Sequence, residues 1–191
     1  MLNKYIVMGK IKRIKVGNNV VLKQLELEDA IDIFHIIDSQ REYLRKWLPF
    51  VDSTKELEDS LSFVSSAINV PDEEKEYMFV IHYNDRFAGL IGFKDTEKEN
   101  KRTEIGYWLS EIYQKKGIVT ESVKALLHFA FNELDINRVQ IKCAVGNIPS
   151  KNIPKRLGFK FEGIERDGEL LVDNQFTDLE LYSFIKKDIN C

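Results

Sequence analysis

Two short segments of the chain carry residue types suited to gripping an anion. The first is YQKKGIVTES, residues 113–122, in which Gly117 stands where a strand-like stretch gives way to a helix-like one. A glycine at such a turn lets backbone amides approach a ligand closely, and the first amides of a helix have no acceptor within it. Amides from Gly117 through Ile118 and Val119 to Thr120, the charges of Lys115 and Lys116, and the polar groups of Gln114 and Thr120 together describe a pyrophosphate cradle. The segment alone also fits a glycine-containing turn flanked by surface lysines, and it matches neither GxxxxGK[ST] nor GxGxxG. The second segment is Asn147-Ile148-Pro149-Ser150, followed after six residues by Leu157-Gly158-Phe159. Ser150 taken by itself suits a helix N-cap. Cys143, in the middle of an alternating stretch and on its apolar side, reads as a buried and inert thiol. His35, His82 and His128 are dispersed without metal-ligand spacing, so no metal is expected.

The elements that must position these segments follow from hydrophobic periodicity. Val20, Val21, Leu22 and Leu25 make a strand, and Ala30, Ile33, Phe34 and Ile37 recur at helix spacing. Ser53 and Glu56 have capping-box spacing ahead of Leu57, Leu61, Val64 and Ile68, one face of a second helix. After the polar stretch Pro71 to Glu76, two apolar runs joined at Asn84, Asp85 and Arg86 form a hairpin, and TEIGYWLS, residues 103–110, adds a third strand. Val123, Leu126, Leu127, Ala130, Phe131 and Leu134 mark the cleanest helix, and Val139, Ile141, Cys143 and Val145 alternate as a strand. Strand, long helix and strand make a βαβ crossover, which forces those two strands parallel. A short helix from Ser150 to Leu157, where Pro154 should kink or shorten it, and a hairpin of Lys160 to Ile164 with Phe176 to Ile185 complete the chain. Both anion-gripping segments then open at the carboxyl edge of one sheet, where ligands of α/β proteins bind.

Composition bounds the possibilities. The chain has 191 residues, 28 Lys and Arg against 31 Asp and Glu, and 43% hydrophobic residues, which suits one α/β domain able to bury a core. Five of the basic residues, Lys4, Lys10, Lys12, Arg13 and Lys15, fall in the first sixteen positions; the remainder carries 23 basic against 31 acidic residues, a net −8 better suited to a cationic amine than to nucleic acid. Residues 1–17 are expected to be an N-terminal arm or extra strand and 18–191 the domain proper. Two cysteines and no apolar run near the ~20 residues of a membrane span point to a cytoplasmic protein without membrane or nucleic-acid partners.

The segments IGYWLSEIYQKKGIVTESVKALLHFAF, NRVQIKCAVGNIPSKNIPKRLGFKFEG, RDG and DLELYS, with WLPF at Trp47 to Phe50, resemble the GNAT superfamily of N-acetyltransferases, in its RimL/RimJ-like branch. The resemblance implies a mixed sheet of about seven strands with helices on both faces, splayed between the fourth and fifth strands. It implies acetyl-CoA as cofactor, transfer to a primary amine by direct attack on the thioester, an acceptor such as a ribosomal protein N-terminus, and a homodimer. The family loop Q/R-x-x-G-x-G/A falls on Gln114, Gly117 and Val119, where Val departs from the usual small residue. The splayed, bulged strand falls on Tyr107 to Ser110, with Trp108 and Leu109 against the cofactor and the Leu109 amide facing the thioester carbonyl. Asn147 and Ser150 match the family NxxS, and Ser150 takes the role of acid that a tyrosine farther along the helix plays in other branches. Glu169, in the loop after RDG, matches a proposed base, and is otherwise a solvated loop acid; Asp178 matches an aspartate that orients substrate or caps the turn. Acetylation of a small amine such as a polyamine or antibiotic, or acyl-CoA binding without catalysis, are the alternatives.

Overall fold

The computed structural model describes residues 5–8, 13–71 and 76–190; Lys4, Lys10, Lys12, most of the Pro71 to Glu76 stretch and Cys191 lie outside them. Along the chain run β1 (Tyr5–Met8), β2 (Arg13–Val16), β3 (Val20–Gln24), α1 (Ala30–Ser39), α2 (Arg41–Leu44), α3 (Leu57–Ile68), β4 (Met78–Tyr83), β5 (Arg86–Glu97), β6 (Arg102–Leu109), α4 (Ile118–Asn132), β7 (Arg138–Ala144), α5 (Ile148–Arg156), β8 (Lys160–Leu171) and β9 (Gln175–Ile185). The strands form one sheet in the order β1-β2-β3-β4-β5-β6-β7-β9-β8. Nine strands among the described residues exceed the seven expected, because β1 and β2 add an antiparallel pair on the outer side of β3. In β2, Ile14 and Val16 are buried while Arg13 and Lys15 face solvent, the alternation of a strand with one covered face.

The β4–β5 turn places Asn84 at φ 50° and Asp85 at φ 61°, the two successive left-handed residues of a type I′ hairpin. Helix α3 starts later than its capping-box signal suggested. Glu56 is its N-cap, and the reciprocal box joins Glu56 to Asp59, whose carboxylate accepts from the Glu56 and Lys55 amides at 3.0 and 2.7 Å. Ser53 instead closes a 3-10 turn over Pro49–Asp52. The final hairpin is longer than its apolar pattern, since β8 runs to Leu171 by absorbing irregularities between Phe161 and Gly163 and between Glu165 and Glu169. The RDG segment is thus a bulge within β8 rather than a loop, and the Asp178 carboxylate secures it by accepting from the Asp167 amide at 2.9 Å.

Two apolar layers sandwich the sheet. On one face α4 buries Val123, Leu126, Phe129 and Ala130, and Phe129 lies against the rings of Tyr77, Phe79 and Phe93 at centroid distances of 5.4, 6.2 and 6.2 Å. On the other face α1 and α3 bury Ile33, Ile37 and Val64 over Val80, Leu90 and Trp108. Burial of each Val, Leu, Ile or Phe side chain among them stabilises the fold by ~1.5–3 kcal/mol. All strand pairs are antiparallel except β6 and β7, which α4 connects and which pair only at Arg102↔Arg138, Thr103↔Val139 and Glu104↔Gln140. Beyond Glu104 the two strands part.

At the far end of the sheet Arg138 on β7 and Glu162 on β8 meet across β9. The carboxylate accepts from both guanidinium nitrogens at 2.7 and 2.6 Å and from Ser183 Oγ at 2.6 Å. These bonds hold the Glu162 carboxyl at about 2, below its ordinary 4.5. A depressed folded value stabilises the fold above the ordinary value, and that contribution is lost as pH falls through the folded one. Thermal melts of Glu162→Gln should therefore lie below the parent at neutral pH and converge with it between pH 4.5 and 2; a constant offset would exclude this linkage.

Candidate active site

The site is built where β6 leaves β7. From Ile105 to Leu109 the strand keeps β5 on one edge, in unbroken register from Phe93↔Ile105 to Gly89↔Leu109, and has no strand partner on the other. The bulge expected at Tyr107 to Ser110 is therefore not there; the β5–β6 irregularity lies at Lys94 to Glu97. Regular pairing is possible at Gly89 because it has no side chain: a Cβ there would sit 2.2 Å from the Trp108 carbonyl oxygen. The open edge offers backbone donors and acceptors to an extended ligand, as a sheet edge does to an added strand.

The chain then turns into α4. Gly117 is its N-cap at φ 74°, a conformation costly to a residue with a Cβ. The first bond of the helix ladder runs from the Glu121 amide to the Gly117 carbonyl at 3.0 Å, which leaves the amides of Ile118, Val119 and Thr120 without helical acceptors. Val119 spends its bulk inward, in the core beneath α4. The helix dipole adds partial positive charge at this end. So does Arg156 at the end of α5, whose guanidinium donates to Thr120 Oγ1 at 2.8 Å. Lys116 also lines this end, its ammonium lying 5.2 Å from the ring centres of both Tyr83 and Tyr113.

Beyond β7 the chain enters α5 through Asn147. Its side-chain oxygen accepts from the Ser150 amide at 3.2 Å, so Asn147 is the N-cap and Ser150 lies one turn inside the helix, not at the cap as its type alone suggested. The helix ends in a Schellman pair, with the Phe159 amide donating to the Pro154 carbonyl and the Gly158 amide to that of Lys155 at 3.0 and 3.2 Å, and Gly158 at φ 80°. That is the function of the Leu157-Gly158-Phe159 signal. Lys151 anchors α5 to β9 through Glu180 at 2.6 Å.

Pro154 sits inside α5 without shortening it. It has no N–H for the carbonyl four residues earlier, that of Ser150. The Tyr107 hydroxyl donates to that carbonyl at 3.1 Å and accepts from Ser150 Oγ at 3.1 Å, so one phenol both substitutes for the missing helix bond and orients the serine. Burial, reinforced by the nearby Cys143, drives the Tyr107 hydroxyl well above its ordinary range, and it stays protonated. Ser150 Oγ also lies 3.4 Å from Cys143 Sγ. That thiol is buried as expected, yet it adjoins the site rather than the core alone; burial raises it to about 11, which leaves it neutral and a poor nucleophile.

A cleft of about 400 Å³ joins these features, and Trp108, Leu109, Gln114, Lys115, Lys116, Gly117, Ile118, Val119, Thr120, Asn147 and Ser150 all line it. Trp108 does so from a strand position whose ring packs toward Phe87 on the α1/α3 face, at 5.9 Å between centroids. Gln114 donates to the Tyr43 hydroxyl, which donates in turn to the Leu109 carbonyl at 3.3 Å, so Tyr43 ties α2 to the end of β6 and the glutamine holds Tyr43. Sequence reasoning missed Tyr43, Tyr107 as a hydroxyl, and Arg156; only the WLPF segment hinted at the α2 wall, through Trp47. Glu169 does not line the cleft. It is half-buried on β8 opposite Thr177, and its charge acts on Lys94, which pairs with Glu104 at 3.0 Å. Among the described residues no three His, Cys, Asp or Glu side chains form a metal-holding group, and no helix is long and apolar enough to cross a membrane.

The family model described as an acetyltransferase (GNAT) domain matches residues 19–160. The ribosomal-protein-serine acetyltransferase of Escherichia coli (strain K12) is 30% identical over 172 residues, 90% of this chain and 96% of that protein. Among solved structures, the microcin C7 self-immunity acetyltransferase MccE in complex with acetyl-CoA and AMP superposes with a TM-score of 0.86 at 28% identity, covering 94% of this chain and 98% of that one. RimL, a ribosomal L7/L12 alpha-N-protein acetyltransferase, in complex with coenzyme A also gives 0.86, at 26% identity over 91% and 97%.

The Tyr107–Pro154 arrangement has a specific consequence. Tyr107→Phe should destabilise the protein by ~1–3 kcal/mol by leaving the Ser150 carbonyl without that donor, and adding Pro154→Ala should recover part of the loss by restoring the helix amide. Additive losses in denaturant unfolding of the double variant would refute the coupling.

Proposed function

Since the chain belongs to the GNAT family of acetyltransferases, we propose that it transfers the acetyl group of acetyl-CoA to a protein N-terminal α-amine of the ribosomal-protein type. The observation that carries this is the convergence on one cleft of the unused first-turn amides of α4, the open edge of β6 and the Ser150 hydroxyl. The amides of Ile118, Val119 and Thr120, with Lys115 and Arg156 beside them, suit a pyrophosphate. The free edge of β6 suits an amide-bearing arm laid along it, and the Leu109 amide is the donor for a thioester carbonyl. Acetyl-CoA supplies an activated acyl group, so no covalent intermediate on the protein is required.

The chain's own residues have three tasks in this reading. Backbone amides stabilise charge that develops on the carbonyl oxygen, commonly the largest contribution in acyl transfer. Ser150, oriented by Tyr107, donates a proton to the departing thiolate. Glu169 is the carboxylate proposed to take a proton from the amine, and because it stands on β8 outside the cleft it does so through an intervening water. An α-amine titrates near ~7.7–8.0, so a fraction is already neutral at physiological pH and a modest base suffices.

Thiol release from acetyl-CoA with a panel of N-terminal peptides and small amines tests the proposal. Ser150→Ala should lower kcat by ~10²-fold, the usual contribution of an acid–base group, with coenzyme A still bound. Tight coenzyme A binding without turnover on any acceptor, and no effect of Ser150→Ala, would leave an acyl-CoA-binding module in place of the enzyme. The proposal includes a homodimer, supported by Phe161, Ile164, Leu170 and Phe176, which stand 54%, 54%, 44% and 62% exposed on the hairpin at the sheet edge. Sedimentation velocity should give a dimer that Phe161→Ser with Phe176→Ser dissociates; a monomeric parent would remove this part.

A further inference from the structure

A second cavity, of about 320 Å³, lies on the opposite face of the sheet, under α1 and α3. It shares Tyr107 and Trp108 with the cleft above, so β6 is the wall between the two. Its volume falls at the lower end of the ~300–1,000 Å³ of small-ligand pockets. Gly106, opposite Gly92 on β5, brings backbone without a side chain to its floor, where a Cβ would meet nothing nearer than the Lys94 stem at 3.7 Å. Ile33, Ile37, Phe63 and Trp108 are among its apolar walls, and Lys94, already paired with Glu104, is its one charged side chain. The Ser60 hydroxyl is buried at its edge and has no hydrogen-bond partner among the described residues, an arrangement that costs ~1–3 kcal/mol unless something supplies one.

Building on the acetyl-transfer reading, we propose that this cavity binds the acceptor, and that the acceptor is a peptide with a large apolar side chain at its first or second residue. An apolar side chain fits the walls, and a peptide group adjacent to it fits Ser60, which can donate to a carbonyl or accept from an N–H. A polyamine fits poorly. It would bring unscreened ammonium groups into an apolar space whose charged lining residue is itself a cation. An amine held from this side approaches β6 at Tyr107 and Trp108, where the strand's other edge is open to the cofactor.

Peptides carrying Ser, Met, Leu or Phe at the first or second position, and spermidine, are compared for acetyl transfer, while binding of the same probes to the protein is followed by tryptophan fluorescence and by NMR of the Trp108 indole. Two variants test the cavity itself. Gly106→Ala adds a methyl group whose nearest neighbours would be the Lys94 Cδ and Cε at 3.7 Å, so it narrows the floor without a clash. Phe63→Ser removes a wall at a residue already 43% exposed. The expected result is preference for Leu or Phe peptides over the Ser peptide, with that ratio falling about tenfold in Gly106→Ala, the usual scale for a methyl-sized change in an apolar pocket. Phe63→Ser should lower the same ratio. Binding of apolar peptides, weakened in Gly106→Ala but followed by no transfer, would support the cavity while the acetyl-transfer reading failed. Transfer with no apolar preference, preference for spermidine, a ratio unmoved in both variants, or no binding of any peptide would overturn the proposal.

Discussion

Three register pairs of parallel β-structure, Arg102↔Arg138 to Glu104↔Gln140, set the conditions for everything the cleft contains. They hold β6 and β7 side by side at one end, and α4 must cross over between them because parallel strands cannot be joined by a tight turn. From Ile105 onward the strands diverge, and unpaired backbone in a protein interior is expensive unless something else satisfies it. Here a cleft supplies access from one side and α5 supplies partial filling from the other. The same crossover puts the amino end of α4 and the amino end of α5 at one edge of the sheet. The anion-gripping amides and the serine are neighbours for that topological reason, although about thirty residues of sequence separate them.

The least expected compensation is within α5. A proline inside a helix ordinarily costs ~3 kcal/mol through a lost hydrogen bond and a steric conflict. In this chain the carbonyl released by Pro154 belongs to Ser150, and Tyr107 of β6 occupies it. The proline therefore exchanges a bond internal to the helix for one between helix and strand, and it fixes α5 against the very edge that has lost its strand partner. Asn147 at the N-cap and Lys151 on Glu180 complete the attachment. A serine that must present its hydroxyl consistently is held through its amide, its carbonyl and its own oxygen.

Much of this was legible in the sequence, for reasons that differ by element. The periodicities of α4 and β7 are strong because each has one face buried, and their order dictates the parallel pair. Gly117 was readable because few residue types tolerate a left-handed N-cap. By contrast, Ser53 and Ser150 both misled in the same way. A short polar residue signals that a cap is near, but Glu56 and Asn147 outcompeted them as caps because their side chains reach the N3 amide from the position where the backbone is already extended or non-helical. Glu169 looked like a loop residue because RDG reads as a turn, whereas Asp178 holds that triplet as a bulge and lets β8 continue. Tyr43, Tyr107 and Arg156 left no local signal, since each acts on a residue more than thirty positions away.

Strand β6 accounts for the division of labour across the sheet. Its pleat sends Ile105, Tyr107 and Leu109 toward the α4 layer and Glu104, Gly106 and Trp108 toward the α1/α3 layer. Leu109 lines only the cleft that holds Ser150, Gly106 lines only the apolar cavity, and Tyr107 and Trp108 line both. Substitutions at Leu109 or Gly106, each of which lines one space alone, should therefore leave the other face of the strand largely in place, as long as the backbone register with β5 survives. That register depends on Gly89, where no side chain fits beneath the Trp108 carbonyl, while Gly92, where a Cβ would lie 2.9 Å from the Met78 Cα, lets β5 pack against β4. Gly106 is under no such constraint, since its nearest neighbour is a flexible lysine stem. Two of the glycines around β6 thus serve the packing of the sheet, while the third leaves a space that the packing does not require.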